Sequence, residues 1–285
     1  MKLAGREVEF YVPDGGGEAQ ALMRTTHLGI GTHQDDLEIM AFHGILECFQ
    51  SSTKWFMGVT VTDGAGSART GSYASTTNGE MMDIRREEAK KAAHVGEYSG
   101  LVFLNYPSSA VKNPGNAQVV ADLKEILLSA RPKTVYLHNL ADKHDTHVAT
   151  ALRSIAALRE LPAEKRPEKV LGCEVWKDLD WTVDADKVVM DVSAHDNLAM
   201  ALVAIHDSQV VGGKRYDLAT IGRRRANATY FASHDTDTAS SLIYAMDLTP
   251  LVSDPKLDPV EYVMGYVKRF EEEIRKRIGA GLGGK

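Results

Sequence analysis

The chain has 285 residues, 33 lysines and arginines against 39 aspartates and glutamates, and a formal net charge of −6. That length lies near the upper limit for one hydrophobic core, and 44% apolar with 25% charged residues is the composition of a folded globule, not of a disordered chain. The acidic balance carries no basic footprint for a phosphate backbone, so a nucleic-acid partner is not expected and a small-molecule substrate is.

In chain order, residues 8–12 read as an opening strand and Gly15, Gly16 and Gly17 as a turn. Strand patterns follow at 26–32, 55–62, 101–104 and 134–137, alternating with helical patterns at 37–49, 81–95, 117–130 and 147–158. Such alternation predicts an α/β fold, Rossmann-like, with three α/β/α layers around a mostly parallel sheet joined by right-handed crossovers. In the second half, 162–167 is a charged connector, and 169–175 and 187–191 read as strands. Ser193 is placed to cap a helix over 197–205. Helices are predicted at 216–231 and 259–278, and the tail 279–285 is read as frayed. These strands and helices are C-terminal additions, about 168–285, to a core at about 24–160, and the whole of 1–285 is read as a single domain. The Gly-, Ser- and Thr-rich stretch 63–79 is the longest loop and follows a strand end, so it is placed to cover a site at that edge.

Cys48 and Cys173 lie far apart within apolar patterns and read as buried thiols, neither a CxxC pair nor a disulfide framework. The N-terminus lacks the apolar core of a signal peptide, and the longest apolar run, 199–205, is too short to span a bilayer. A cytoplasmic protein without membrane insertion is expected.

Two stretches carry chemistry. Thr32-His33-Gln34-Asp35-Asp36 sits between an apolar strand and a helix, and Asp142-Lys143-His144-Asp145-Thr146-His147 does the same after the strand at 134–137. Adjacent carboxylates repel unless a cation or proton lies between them. One carboxylate would suffice to cap a helix; the second aspartate and the histidine are left over. A histidine followed by aspartate also occurs at His195, His206 and His234, so neither cluster is decisive alone. Both fall at the carboxyl edge of the predicted sheet, where such folds bind ligands. One histidine and one aspartate from the first stretch with one histidine from the second would meet the three-ligand count of a catalytic zinc site.

The block HQDDLE with DKHDTH downstream resembles the PIG-L/LmbE-like zinc-dependent N-deacetylases, which carry HPDDE and a distal HxDH or HxTH element. Val61-Thr62-Asp63-Gly64, Arg85 and Glu88, Leu104-Asn105-Tyr106-Pro107 and His206-Asp207-Ser208-Gln209 extend the likeness over most of the chain. Gln34 departs from the usual proline, which is expected to leave the turn less constrained, and Leu37 departs from the usual glutamate. The resemblance implies that His33, Asp36 and His147 bind Zn²⁺ or another divalent metal, that Asp35 is the general base, and that His144 faces the oxyanion. It places Arg85 at the substrate, while Asp142 or Asp145 would orient a histidine from behind. The implied reaction is hydrolytic removal of an N-acetyl group from an N-acetylglucosamine-type amino sugar by metal-bound water, and the family includes oligomers, so a homo-oligomer is expected.

Residue by residue, bland alternatives remain. Arg85 could instead pair with a nearby glutamate; Arg223, Arg224 and Arg225 fan around one helix so that only one or two can share a ligand; His43 reads as a core or rim histidine, and Trp176 and Trp181 as packing residues more readily than as platforms for a sugar ring. The competing functions are a metal-dependent phosphohydrolase acting on a small phosphate ester, for which carboxylates are few, and a non-catalytic nucleotide-binding module resting on Gly64-Ala65-Gly66, which lacks GxGxxG spacing. A binding protein that keeps only the fold would not need the histidines.

Overall fold

The computed structural model describes residues 3–4 and 7–283. Eight strands form one sheet: β1 (Glu9–Tyr11), β2 (His27–Gly31), β3 (Phe56–Thr62), β4 (Gly100–Tyr106), β5 (Thr134–His138), β6 (Lys169–Cys173), β7 (Val188–Asp191) and β8 (Leu242–Asp247). Their order is β1-β4-β3-β2-β5-β6-β8-β7. The five central strands β4 to β6 are parallel, and β1, β7 and β8 add antiparallel edges. The chain steps outward from β2 to β3 to β4, then crosses back to lay β5 on the other side of β2. The crevice between the carboxyl ends of β2 and β5 is therefore the switch point where a doubly wound sheet opens.

Among the described residues twelve α-helices cover the sheet: α1 (Glu18–Arg24), α2 (Asp36–Met40), α3 (Phe42–Cys48), α4 (Asn78–Val95), α5 (Ser108–Lys112), α6 (Ala117–Ala130), α7 (Asp145–Arg159), α8 (Asp196–Ala204), α9 (Asp207–Val210), α10 (Tyr216–Tyr230), α11 (Thr249–Ser253) and α12 (Pro259–Gly281). Period-2 alternation divides the strand residues between two cores. Leu28, Ile30, Val59, Val102 and Leu137 pack with α6 and α7, whereas Phe56, Phe103 and Tyr136 face α2, α3, α4 and α8. The helices thus form two layers around the sheet.

Local chemistry fixes the boundaries. α4 starts three residues before the predicted helix because Thr77 and Glu80 form a capping box, and Asp258 with Pro259 starts α12. The predicted 37–49 helix is broken at Ala41. Arg224 explains the break: its Nη2 takes the carbonyls of Glu38 (2.7 Å) and Ile39 (3.2 Å), which an unbroken helix would offer to residues 42 and 43. Ser193 does not cap α8. That helix begins at Asp196 after His195 turns left-handed at φ 56°, and the Ser193 hydroxyl instead donates to Asp191 and accepts from the amides of Ser240 and Ser241, stitching β7 to β8. α1, the short helices α5, α9 and α11, and the strand β8 escaped the sequence reading. Of the tail read as frayed, 279–281 continue α12, and 284–285 lie outside the described residues.

Leu37, the departure from the family glutamate, is a packing residue. It lies over Gly29 and Gly58, where an added Cβ would stand 2.8 and 2.7 Å from its methyls. Those glycines let α2 settle directly on the sheet, which brings Asp36 to the crevice.

Candidate metal centre and active site

The first cluster is set by the turn after β2. Thr32 is buried, its carbonyl accepts from Thr62 N–H (2.9 Å), and its hydroxyl donates to Thr150 of α7 (2.7 Å). Gln34 does what a proline would do by other means. Its Nε2 donates to the Thr62 carbonyl (3.0 Å), and its amide packs over Gly64 so closely that a Cβ there would be 2.3 Å from Oε1. The turn expected to be loose is held by a buried side chain. Asp36 then folds back to accept the His33 N–H at 2.6 Å, which fixes its carboxylate.

The second cluster enters at the start of α7, with His144 at the N-cap and His147 in the first turn. His33 Nδ1 is 3.1 Å from His147 Nε2 and 3.3 Å from Asp36 Oδ2, and His147 Nε2 is 3.4 Å from Asp36 Oδ1. A tetrahedral ion with bonds of ~2.0–2.1 Å spaces its ligands about 3.3–3.4 Å apart. The separations run to different oxygens of Asp36, so they gather two imidazole nitrogens and a carboxylate in one place without defining a single three-atom ligand set.

His138 joins the cluster from the end of β5, one residue beyond the Leu137 at which the strand pattern stops; a histidine next to a strand end is the signal for it in the sequence. Its Nε2 accepts the Thr32 N–H (3.0 Å) and lies 3.4 Å from Asp36 Oδ2, and its ring stacks on His147 with centroids 3.9 Å apart. Burial, then the neighbouring His147, lowers its pKa to about 4, so it is neutral, as an Nε2 acceptor must be. Among the described residues two overlapping groups could hold an ion, His33 with His144 and His147, and Asp36 with His138 and His147. His138 accepts the Thr32 N–H through the nitrogen that faces the cluster.

The charges of the cluster are coupled. Burial resists ionisation of Asp36, yet His147 and His138 outweigh it and hold its pKa well below the usual value. Burial likewise opposes a charged His147, but Asp36 and Asp142 raise its pKa. Asp142 is the carboxylate behind His147: Oδ1 lies 3.7 Å from His147 Nδ1, too long for a hydrogen bond, and accepts the His144 N–H at 2.8 Å. Asp145 is exposed in the first turn of α7.

Asp35 and Arg85 complete the constellation. Arg85 is buried, donates to Asp35 Oδ1 (3.3 Å) and to the Gly64 carbonyl (3.2 Å), and lines a cavity of about 270 Å³ with His33, Asp35, Asp36 and His144. The ion-pair partner of Arg85 is thus an aspartate of the site and not the glutamate that the alternative reading names. Gly64, Gly66, Ser67 and Ala68 bring the 63–79 loop onto the cavity, and Trp176, Lys214 and Tyr216 wall the other side. Trp181 packs on Phe270 instead. His43 hydrogen-bonds Tyr136 Oη (2.9 Å) away from this cavity. Arg223 donates to the Val175 carbonyl, Arg224 is buried on α2, and Arg225 is exposed. Both cysteines are buried and unpaired, and among the described residues no helix is long and apolar enough to cross a membrane.

Solved structures share this fold. The N,N′-diacetylchitobiose deacetylase of Pyrococcus horikoshii aligns with a TM-score of 0.58 at 18% identity, over 81% of this chain and 88% of its own. A deacetylase of the A40926 pseudoaglycone aligns at 0.56 and 15%, over 79% and 97%. The 4-carboxy-2-hydroxymuconate hydratase GalB of Pseudomonas putida also aligns at 0.56 and 15%, over 79% and 96%. No curated protein matches the chain in sequence. The family described as PIG-L, GlcNAc-PI de-N-acetylase, matches residues 28–158, which begin in β2, end in α7 and hold both histidine clusters. Over that segment, a little under half of the chain, the sequence is similar to the PIG-L family.

Proposed function

We propose that the protein is a metal-dependent hydrolase that removes the N-acetyl group from an N-acetylglucosamine-type amino sugar, within a single domain spanning 1–285. The observation that carries this is the set of three donor separations, 3.1, 3.3 and 3.4 Å, among His33, Asp36 and His147 beside the open cavity. His33, Asp36 and His147 would hold the cation, Zn²⁺ by donor type, although other divalent ions accept the same donors. When bound, such an ion polarises a carbonyl and makes water a stronger acid.

Asp35 adjoins these donors without being one of them, oriented by Arg85. It takes the proton of the attacking water and returns it to the leaving amine, so that acetate and a free amine are released. His144 donates to the developing oxyanion from the rim. Arg85 lines the substrate cavity while it positions Asp35, and Asp142 fixes the backbone at His144 behind His147. Trp176 offers a face to a sugar ring. A reducing cytoplasm suits two buried, unpaired thiols.

Fold alone does not select the reaction, since a hydratase shares it. The test is elemental analysis of the purified protein with an assay of acetate and amine release over N-acetylglucosamine, its phosphates, its short oligomers and its inositol-linked conjugates. Bound divalent metal with acetate release supports the reading. Release of inorganic phosphate, or binding of nucleotide without turnover, refutes it in favour of a phosphohydrolase or a binding module.

A further inference from the structure

The C-terminal helix is rooted at one end and bare at the other. Tyr266 is buried, Arg269 Nε pairs with Asp186 (2.6 Å) and Phe270 packs on Trp181; from 271 to 283 no residue is buried. From the last buried turn to the end of the helix Val267, Ile274, Ile278 and Leu282 make an apolar stripe, exposed to 38, 41, 58 and 82%. Single exposed apolar residues need no explanation, but a continuous stripe at helical spacing marks a contact surface.

The charges beside the stripe identify the occupant. At about 100° per residue, Glu271 and Arg275 lie on one side of Ile274, and Glu273 and Arg277 lie on the other, at roughly equal angles. Each side carries an ion pair within the helix, Arg275 with Glu271 and Arg277 with Glu273. The sequence Glu271-Glu272-Glu273-Ile274-Arg275-Lys276-Arg277 reverses sign about its centre. A second identical helix running antiparallel through a two-fold axis at Ile274 places Glu271 opposite Arg275 and Glu273 opposite Arg277, on both flanks. Parallel pairing would set like charges against each other.

We propose that α12 pairs antiparallel with α12 of a second copy of this chain, about a two-fold axis beside Ile274. Ile274 meets its own counterpart, and Phe270 meets Ile278 of the other copy. The two-fold makes the contact isologous and closed, so it yields a dimer and no filament. The shared stretch is short, about 22 Å for residues 267–281, so the dimer forms at high micromolar concentration and dissociates on dilution.

Sedimentation velocity on the full chain from 1 to 200 μM tests this. A concentration-dependent dimer is expected, abolished by Ile274→Glu and weakened about tenfold or more by Arg275→Glu with Arg277→Glu, or by Glu271→Arg with Glu273→Arg. Mixing the acidic with the basic variant should restore dimers. All these positions are exposed or only partly buried, and an unchanged urea midpoint confirms that each variant folds. Ile274→Cys should cross-link to itself under mild oxidation and Val267→Cys should not, the native cysteines being buried. A monomer at every concentration overturns the proposal, whether or not it binds anionic vesicles. So does a dimer indifferent to Ile274→Glu, or equal cross-linking through both cysteine positions.

Discussion

Asp142 is the carboxylate on which the rear of the site depends, and Asp142→Asn isolates its charge while keeping its shape. Oδ1 accepts from His144 N–H at 2.8 Å, and Oδ2 accepts from Trp176 and Lys177 N–H at 3.0 and 3.3 Å. An asparagine can turn its oxygen to only one side. The other side then presents an amide to a backbone N–H, which removes a hydrogen bond to a charged acceptor, about 1.5–3 kcal/mol, and reduces the remaining two to neutral strength. With the 3.3 Å bond discounted as long, the net loss is about 3 kcal/mol, a large part of a typical domain's stability.

The pH dependence follows from the same charge. Burial pushes the Asp142 pKa up, but His147, the His144 amide and His138 outweigh it, and the result lies below the ordinary 3.8. A carboxylate with a depressed folded pKa contributes stability above its unfolded pKa, and that contribution is lost as pH falls through the folded value. Urea unfolding of wild type and Asp142→Asn, both metal-free, should therefore differ by about 3 kcal/mol at pH 7, with the gap narrowing as pH falls below about 3.8. Chelator competition should show metal affinity reduced by about 10- to 100-fold at pH 7. Equal stability at pH 7, or a gap unchanged at pH 3, would refute the role given to the carboxylate.

Asp35→Asn should fold and keep stoichiometric metal but lose roughly 10²- to 10⁴-fold in kcat, as removal of a general base does; full turnover in an amine-release assay contradicts the assignment. His147→Ala should be purified without stoichiometric metal by elemental analysis, and retention of one ion per chain would show the donor set to be wrong. His206 is buried 2.9 Å from Glu38 Oε2; burial opposes its charge but Glu38 prevails and raises its pKa. Its contribution is complete below about pH 6.5 and is lost as pH rises through the raised value, so the stability gap between wild type and His206→Gln should shrink from pH 6 to pH 9, and a constant gap refutes the pairing. Gly58→Ala should cost about 1–3 kcal/mol by overpacking against Leu37 and Leu101, and Leu37→Ala should relieve part of that cost, which a double-mutant cycle in urea measures.

The central strands and their helices were legible because hydrophobic period and turn chemistry are local, and the HQDDLE and DKHDTH blocks because carboxylates and imidazoles crowded at strand ends have few other uses. What escaped were interactions between segments far apart in the chain. The break at Ala41 depends on Arg224, some 180 residues away, and β8 is defined by slotting between β6 and β7 more than by any pattern of its own. The stiffness of the turn at Gln34 came from the Thr62 carbonyl and a glycine across the loop, neither of which a substituted proline reveals.

By itself, then, the sequence determined that the HQDDLE and DKHDTH blocks follow strand ends, since side-chain type and one-dimensional spacing suffice for that. Only the tertiary structure decided that β5 lies beside β2, so that residues 33, 36 and 147 converge, that His138 joins them, and that Arg85 turns to Asp35. Strand order is set by which apolar faces pack best across the whole sheet, a global sum that no local window of residues contains.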